Sequence, residues 1–261
     1  MTSTKQLFIF ICLCLSSIVS LAQDTLPQDT LPQDTLPQDS LPQDSLPQDS
    51  LPQDYKFTLG IGVGFSQSLA DVTNRINFQR VFHADLDYHI TEFITAGAAF
   101  HSGRISNGSA EVVPNDNPNY SRYFVNDFKA VSINTKIALG HLINVGNSNF
   151  LGLIKGAYIG TGMTVIFNNI IDIRRTYTFS DGTTYALSGK DRETILAIPI
   201  LAGLNFILPF AEEHFSIGLD GQINIVPGDH LDGYSENINP KQPDWLALGY
   251  ISIRYNFINK P

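Results

Sequence analysis

The feature that most constrains the fold is a repeated alternation of apolar with small or polar residues between Tyr55 and Phe257. Residues 57–65 show it best, because Phe, Leu, Ile, Val and Phe alternate there with Thr and three glycines. A β-strand has a period of two, so this pattern gives a strand with one wholly apolar face. Eight segments with comparable patterns are typical of a barrel whose apolar side faces lipid.

We therefore predict an all-β fold, an eight-stranded antiparallel up-and-down transmembrane barrel over residues 55–261. In the fifth strand, near residues 151–165, Gly156, Gly160 and Gly162 favour the inner side, which places Lys155 outside unless a bulge intervenes. In the sixth, near residues 196–207, Pro199 lacks an N–H group, so we expect a bulge or a strand end. The other strands are expected near residues 57–65, 82–90, 94–101, 131–140, 215–225 and 250–257.

The connectors between these segments alternate in length. Outer-membrane barrels have long external loops and short periplasmic turns. An even strand number then places both termini in the periplasm. Long connectors are predicted at residues 66–81, 102–123, 166–194 and 226–246, and shorter ones at residues 91–93, 141–149 and 208–214. Aromatic residues at the short-turn ends would form an interfacial girdle: Tyr55, Phe57, Tyr88, Phe93, Phe210, Phe215, Tyr255 and Phe257.

The first 22 residues have the pattern of a cleaved export signal. Lys5 precedes an apolar run over residues 7–15, and Ser20-Leu21-Ala22 supplies the small residues of a cleavage site. Both cysteines, Cys12 and Cys14, lie inside this segment, so the mature chain would contain no disulfide. The apolar run is too short to span a bilayer as a helix.

Residues 23–54 repeat Gln-Asp-Thr/Ser-Leu-Pro six times. Proline at every fifth position forbids a helix interior, so we expect a disordered, extended tether. One reading is a repeat expansion that only spaces the barrel from its export signal. The Asp-Thr/Ser-Leu triplets also resemble the acceptor sequence of a periplasmic O-glycosylation system of some Gram-negative bacteria. This resemblance implies glycans at Thr25, Thr30, Thr35, Ser40, Ser45 and Ser50.

The charge distribution argues against nucleic acid as a partner. The whole chain carries a net charge of −9, but residues 1–54 hold seven acids and one base. The remaining 18 acids and 15 bases leave −3 for residues 55–261, with no basic run along the sequence.

The export signal, the eight strands and the aromatic end Ile253-Arg254-Tyr255-Asn256-Phe257 resemble a small outer-membrane β-barrel of the OmpA-like type. The resemblance covers residues 55–257 and implies outer-membrane lipids and, during biogenesis, the barrel-assembly machinery as partners. It implies assembly and location in a Gram-negative envelope rather than an activity. Four residues follow Phe257, which departs from a strictly terminal aromatic residue.

The inner face of the predicted strands carries ionisable side chains, and charges enclosed in a narrow barrel must pair. We interpret them as a polar network that plugs the lumen. The alternative is a narrow pore, or a metal or proton site built from His83, Asp85, His89 and His101. Residues on one face of a strand lie about 6.8 Å apart, which is wide for ligands of one metal ion, so we expect no metal and no cofactor. The network residues are His83, Asp85, Asp87, His89, His101, Lys136, Asp220 and Arg254.

Two of the long connectors carry further signals. Asp229, His230 and Asp232 in the last one would allow a hydrolase at the rim, but no Ser or second His partner follows from the spacing. Ser180-Asp181-Gly182 lies between β-prone runs and predicts a hairpin. Trp245 and Tyr250 are candidates for the outer interface.

We therefore expect a non-enzymatic outer-membrane barrel with a structural, tethering or surface-interaction role and a possible periplasmic or cell-surface protein partner. The alternatives are a pore for small solutes, a rim hydrolase, and a soluble ligand-binding barrel with its apolar face inside.

Overall fold

A computed structural model describes residues 55–69, 77–108, 122–140, 156–179, 181–208, 214–228, 231–234 and 244–258. The predicted export signal, the repeat tether with its six candidate glycosylation residues, Lys155, Ser180, Phe210, Asp229 and His230 lie outside the described residues. Among the described residues, no helix is long and apolar enough to cross a membrane.

The described residues contain ten strands, of which eight close into a barrel and two form a separate hairpin. The barrel strands are β1 (Tyr55–Leu69), β2 (Gln79–His89), β3 (Ile94–Gly108), β4 (Tyr123–Ala138), β5 (Ala157–Ile173), β8 (Arg192–Ile207), β9 (Phe215–Val226) and β10 (Asp244–Ile258). The hairpin strands are β6 (Thr176–Thr178) and β7 (Thr184–Ala186).

Each barrel strand pairs antiparallel with its neighbours in the chain, and β1 pairs with β10 to close the sheet. The predicted eight-stranded up-and-down barrel is therefore confirmed. The closing ladder runs from Tyr55 beside Ile258 to Leu69 beside Trp245, with one irregularity near Tyr55. The first residues of β1 and the last of β10 thus lie at the short-turn end of the barrel.

The side chains follow the predicted alternation. On β1, Val63 has 69% of its surface exposed, whereas Thr58 on the opposite face has 3%. The same contrast recurs around the barrel, since Ile133 on β4 is 71% exposed and its neighbour Ser132 is fully buried. The apolar band lies outside and the small and polar residues lie inside, which excludes the soluble barrel with an apolar lumen at this level of the sheet.

The strands are longer than the sequence pattern predicts at the long-loop end. The connector expected at residues 102–123 is strand at both of its ends, because β3 continues to Gly108 and β4 begins at Tyr123. The fifth strand is displaced in the same direction and ends at Ile173. In these extensions the inner face carries apolar side chains such as Ile105 and Phe124 as well as polar ones such as Asn126. The contrast between the two faces, on which the prediction depended, is therefore lost.

The expectation of a bulge or strand end at Pro199 is wrong. Strand β8 runs through Pro199, which is buried and pairs with Asn224 of β9. On the other side, the ladder to β5 is interrupted between Thr161–Ile200 and Thr164–Ala197 but keeps one register across the gap. The Thr161 hydroxyl donates to the Pro199 carbonyl oxygen at 2.9 Å. The hydrogen bond that Pro199 cannot donate is therefore lost without a bulge, because the register of the ladder stays the same.

The hairpin predicted around Asp181-Gly182 is confirmed as β6 and β7. Gly182 adopts a φ of 85°, a left-handed conformation that favours glycine. The Asp181 carboxylate accepts from the Thr183 N–H at 2.8 Å, and this bond lowers the pKa of Asp181. The hairpin forms its own sheet and does not continue the ladders of β5 and β8.

Candidate functional site: the barrel interior

The structure places all eight predicted network residues on the inner face of the barrel. Seven are buried, with at most 7% of their surface exposed, and His89 is half-buried. They lie in the half of the lumen nearer the short turns, on β2, β3, β4, β9 and β10.

Lys136 forms the first ion pair of the network. Its ammonium group donates to both carboxylate oxygens of Asp87, at 2.9 and 2.7 Å. It also lies 3.6 Å from Asp85 Oδ2, and the Arg254 Nε lies at the same distance from that oxygen. Asp85 therefore lies between the only two permanent cations in the eight-residue network.

Arg254 forms the second ion pair. Its guanidinium donates to Asp220 Oδ2 at 2.7 Å, and the Ser252 hydroxyl donates to the same oxygen at 3.0 Å. The other Asp220 oxygen accepts from the Tyr158 hydroxyl at 2.5 Å. Tyr158 was not among the predicted residues. It occupies the inner face of β5, where the small Gly160 and Gly162 are its neighbours on the strand.

The two buried histidines form a chain that ends on Asp85. His83 Nε2 lies 2.9 Å from Asp85 Oδ1, and His83 Nδ1 lies 3.0 Å from His101 Nε2. Since an ionised carboxylate only accepts, His83 Nε2 carries a proton, and the histidine pair can hold a second proton between its rings. Tyr250 stacks on His83 with ring centroids 4.0 Å apart.

The formal charges of this region nearly cancel. Three carboxylates, Asp85, Asp87 and Asp220, face the two cations Lys136 and Arg254. With neutral histidines these charges sum to −1. Paired and hydrogen-bonded side chains whose charges nearly cancel thus fill this part of the lumen, as charges in a low-dielectric interior require.

His89 does not join the other two histidines. Its ring nitrogens lie 3.0 Å from the hydroxyls of Thr58 and Thr95. The Thr58 hydroxyl in turn donates to Asn256 at 3.0 Å. Among the described residues, no group of three His, Cys, Asp or Glu side chains is placed to hold a metal ion.

The half of the lumen nearer the long loops contains a buried apolar cluster, which the sequence pattern does not predict, beside buried polar side chains such as Asn126, Gln222 and Asn224. The cluster begins at Tyr250, directly beside the histidine pair. The cluster comprises Val81, Ile105, Phe124, Phe128, Ala130, Ile166, Ile195, Ala197, Val226, Leu231, Tyr234, Leu246, Leu248 and Tyr250, with Ile173 and Leu187 packed against it. Tyr250 therefore belongs to the lumen, and its assignment to the outer interface is wrong.

A segment of the last long connector packs onto this apolar cluster. We call residues 231–234 the closing segment. Leu231 is fully buried, and its backbone is held on both sides: its N–H donates to Asp244 at 2.9 Å, and its carbonyl accepts from Asn126 at 3.0 Å. The fixed backbone places the Leu231 side chain in the apolar cluster.

Tyr234 anchors the other end of the closing segment. Its hydroxyl donates to the Arg174 carbonyl at 2.7 Å and accepts from the Tyr123 N–H at 3.2 Å, which joins it to β4 and to the residue after β5. The Arg122 guanidinium lies 5.3 Å from the ring centroid. Burial raises the pKa of Tyr234 to about 12.

Of the three residues that suggested a hydrolase at the rim, the structure describes only Asp232, and its contacts are structural. Asp229 and His230 lie outside the described residues. Asp232 is buried, and its carboxylate accepts from the Tyr234 N–H at 3.0 Å, so it shapes the closing segment.

The aromatic girdle is present at the short-turn end. Phe57 and Tyr88 pack with centroids 5.0 Å apart, and Tyr255 packs on both Phe215 and Phe257 at 5.2 and 4.9 Å. The two tyrosines combine an apolar ring with a polar hydroxyl, which suits the boundary between lipid and water.

No protein-family profile and no curated protein matches the sequence. Among solved structures, the chain is similar to Ail, the attachment invasion locus protein of Yersinia pestis, at 14% identity and a TM-score of 0.41, over 78% of this chain and 99% of that chain. It is also similar to the N-terminal β-barrel domain of Pseudomonas aeruginosa OprF at 12% identity and a TM-score of 0.38, over 78% and 100% of the two chains. Neisserial surface protein A matches at 11% identity and a TM-score of 0.39, over 77% and 97%.

Proposed function

We propose that this protein is a non-enzymatic outer-membrane β-barrel with a closed lumen and a structural or surface-interaction role. The outer wall supports the membrane location. Val63 and Ile133 are more than two-thirds exposed, and other large apolar side chains are exposed on every barrel strand. Soluble proteins rarely expose contiguous apolar patches of this extent.

The proposed orientation places the short turns and both ends of the barrel in the periplasm. The aromatic girdle around Tyr255 supports this choice, together with the shorter connectors at that end. The repeat tether would then extend into the periplasm, where it would carry glycans or contact a periplasmic partner. The barrel-assembly machinery would insert the chain, and outer-membrane lipids would surround it.

One observation carries the proposal of a closed lumen. The closing segment and the apolar cluster fill the loop-side half, while the ion pairs of Lys136 and Arg254 fill the other half. An eight-stranded barrel is only wide enough for its side chains. A hydrated ion would therefore have to displace these packed side chains to cross the lumen.

The first experiment tests location. The outer-membrane fraction is extracted with sarkosyl and electrophoresed with and without boiling. A sarkosyl-insoluble band that shifts on boiling is the expected result, because a closed barrel resists detergent until it is heated. A soluble protein without a shift would contradict the membrane location.

The second experiment tests the closed lumen by single-channel recording of the full chain in planar bilayers. We expect no discrete steps for the wild type and new steps for Tyr234→Ala, which removes the anchor of the closing segment. Tyr185→Ala on the exposed hairpin is the matched control and should stay silent. Sustained steps in the wild type would instead establish the narrow pore. The boiling shift shows that each variant is folded.

A further inference from the structure

The outer wall carries a one-sided group of cations directly beside the apolar band. We call Arg80, Arg104, Lys129 and Arg192 the basic arc. They lie on β2, β3, β4 and β8, and all four are exposed. In the barrel, β2, β3, β4, β5 and β8 are consecutive neighbours, so the arc covers one continuous side.

The strand registers bring the arc together. Arg104 pairs with Asp127, Asp127 with Asn169, and Asn169 with Arg192, so these four form one row across the wall. Lys129 lies one pleat nearer the band.

Arg80 extends the row at its other end. It directly precedes Val81, which pairs with Gly103, so Arg80 stands opposite Arg104. Like charges placed opposite each other are destabilising unless an anion lies between them.

The arc has more cations than its own carboxylates neutralise. Asp127 is engaged by Arg104 through two bonds of 2.6 and 3.2 Å. Arg192 donates to the neutral Asn169 at 3.1 Å. Within the described residues, neither Arg80 nor Lys129 forms an ion pair with a carboxylate.

The arc borders the apolar band on the side of the long loops. Arg80 pairs with Phe65, and Lys129 pairs with Phe167, and both aromatic side chains are about half exposed. A ligand of this surface would therefore meet cations and an apolar wall together. The loop-side outward residues of β1, β9 and β10, Gln67, Ile225 and Trp245, are uncharged.

We infer that the basic arc binds the phosphate groups of an anionic lipid in the leaflet on the long-loop side. Arginine and lysine at a membrane margin bind phosphate through charge-assisted hydrogen bonds. A free phosphate would gain nothing from Phe65 and Phe167, whereas acyl chains would pack on them. In a Gram-negative outer membrane this leaflet consists of phosphorylated glycolipid, so the inference rests on the proposed location and orientation.

The test uses the full chain refolded into phosphatidylcholine vesicles that contain either bisphosphorylated or dephosphorylated lipid A. The lipid retained by the barrel after mild detergent extraction is measured by native mass spectrometry. The variant Arg80→Gln with Lys129→Gln removes two arc cations and leaves the Arg104–Asp127 pair. The matched control is Lys56→Gln with Lys190→Gln, two exposed lysines outside the arc.

We expect the wild type and the control to retain the bisphosphorylated form preferentially, and the arc variant to lose this preference roughly tenfold. Equal retention by all three proteins would overturn the inference. So would complete displacement of the lipid by inorganic phosphate at equal phosphate concentration, because the ligand would then be the free anion. The boiling shift on the same vesicles separates the two proposals: failure to insert contradicts the proposed function, whereas insertion without lipid preference contradicts only the arc.

Discussion

Arg254 and Asp220 form an ion pair inside the barrel, with 2.7 Å between the guanidinium and the carboxylate and side chains that are 3% and 1% exposed. Strands β9 and β10 present them on the same inner face, where Arg254 pairs with Ser216 and Asp220 with Tyr250. The ion pair thus connects β9 and β10 diagonally, between residues that are not direct partners in the ladder. It neutralises each of these two buried charges.

We predict that Arg254→Met destabilises the barrel by about 3–5 kcal/mol, because it leaves Asp220 as a buried carboxylate without its cation. The free energy of unfolding in urea, measured in lipid vesicles, tests this. Arg254→Met combined with Asp220→Asn should recover part of the loss. The exposed pair provides the control, since Arg104→Gln should cost at most about 1 kcal/mol. Equal losses for the two single variants would contradict the buried role.

The outer wall and the polar half of the lumen could be predicted from the sequence because their faces differ chemically. Where Phe57 alternates with Thr58, or Asp85 with Leu86, a period of two is visible in the chain itself. The same signal gave the inward residues His83 and Arg254.

The apolar cluster in the loop-side half of the lumen could not be predicted in this way. In β4, Phe124, Val125 and Phe128 place apolar side chains on both faces, so the period of two disappears. The closing segment carries no local signal at all, because Tyr234 reaches Tyr123 only through the closed barrel. Tyr158 could not be predicted for another reason, since in its strand the inner face is indicated only by Gly156, Gly160 and Gly162.

The seam between β1 and β10 depends on a close approach at Gly64. A Cβ there would overlap the Gly249 carbonyl oxygen and lie 2.5 Å from Tyr250 Cα. We predict that Gly64→Ala destabilises the barrel by roughly 1–3 kcal/mol, because the backbone of the seam must move apart. Gly221→Ala is the matched control, since its Cβ would lie 3.8 Å from the nearest atom, the Ala202 carbonyl oxygen. Urea unfolding should separate the two, and similar midpoints would show that the seam adapts.

The outer wall should penalise charge according to depth. We predict that Ile133→Lys, near the middle of the apolar band, costs about 2–4 kcal/mol in a bilayer. Gln67→Lys lies at the loop-side end of β1, beyond Phe65, and should cost at most about 1 kcal/mol. Unfolding free energies in vesicles test the difference. The measurement requires a bilayer, because only lipid makes the exposed charge costly. Equal losses of unfolding free energy for the two variants in vesicles would argue against a lipid-facing band.

The closing segment should make stability depend on pH through Tyr234. An ordinary tyrosine ionises near pH 10.0, whereas burial keeps Tyr234 protonated until its pKa of about 12. Between these values the unfolded chain binds fewer protons than the folded one, so stability falls as pH rises and levels off above the folded pKa. The contribution is fully present below about pH 10.

The single tryptophan, Trp245, follows Asp244, which holds Leu231 of the closing segment, so its fluorescence reports on this region. We predict that the urea midpoint of the wild type falls between about pH 10 and 12 more steeply than that of Tyr234→Phe. Other tyrosines contribute equally to both proteins, so the difference between the two curves isolates the Tyr234 hydroxyl. Parallel curves would mean that the hydroxyl ionises without opening its bonds to Arg174 and Tyr123, and the anchoring role of Tyr234 would be wrong.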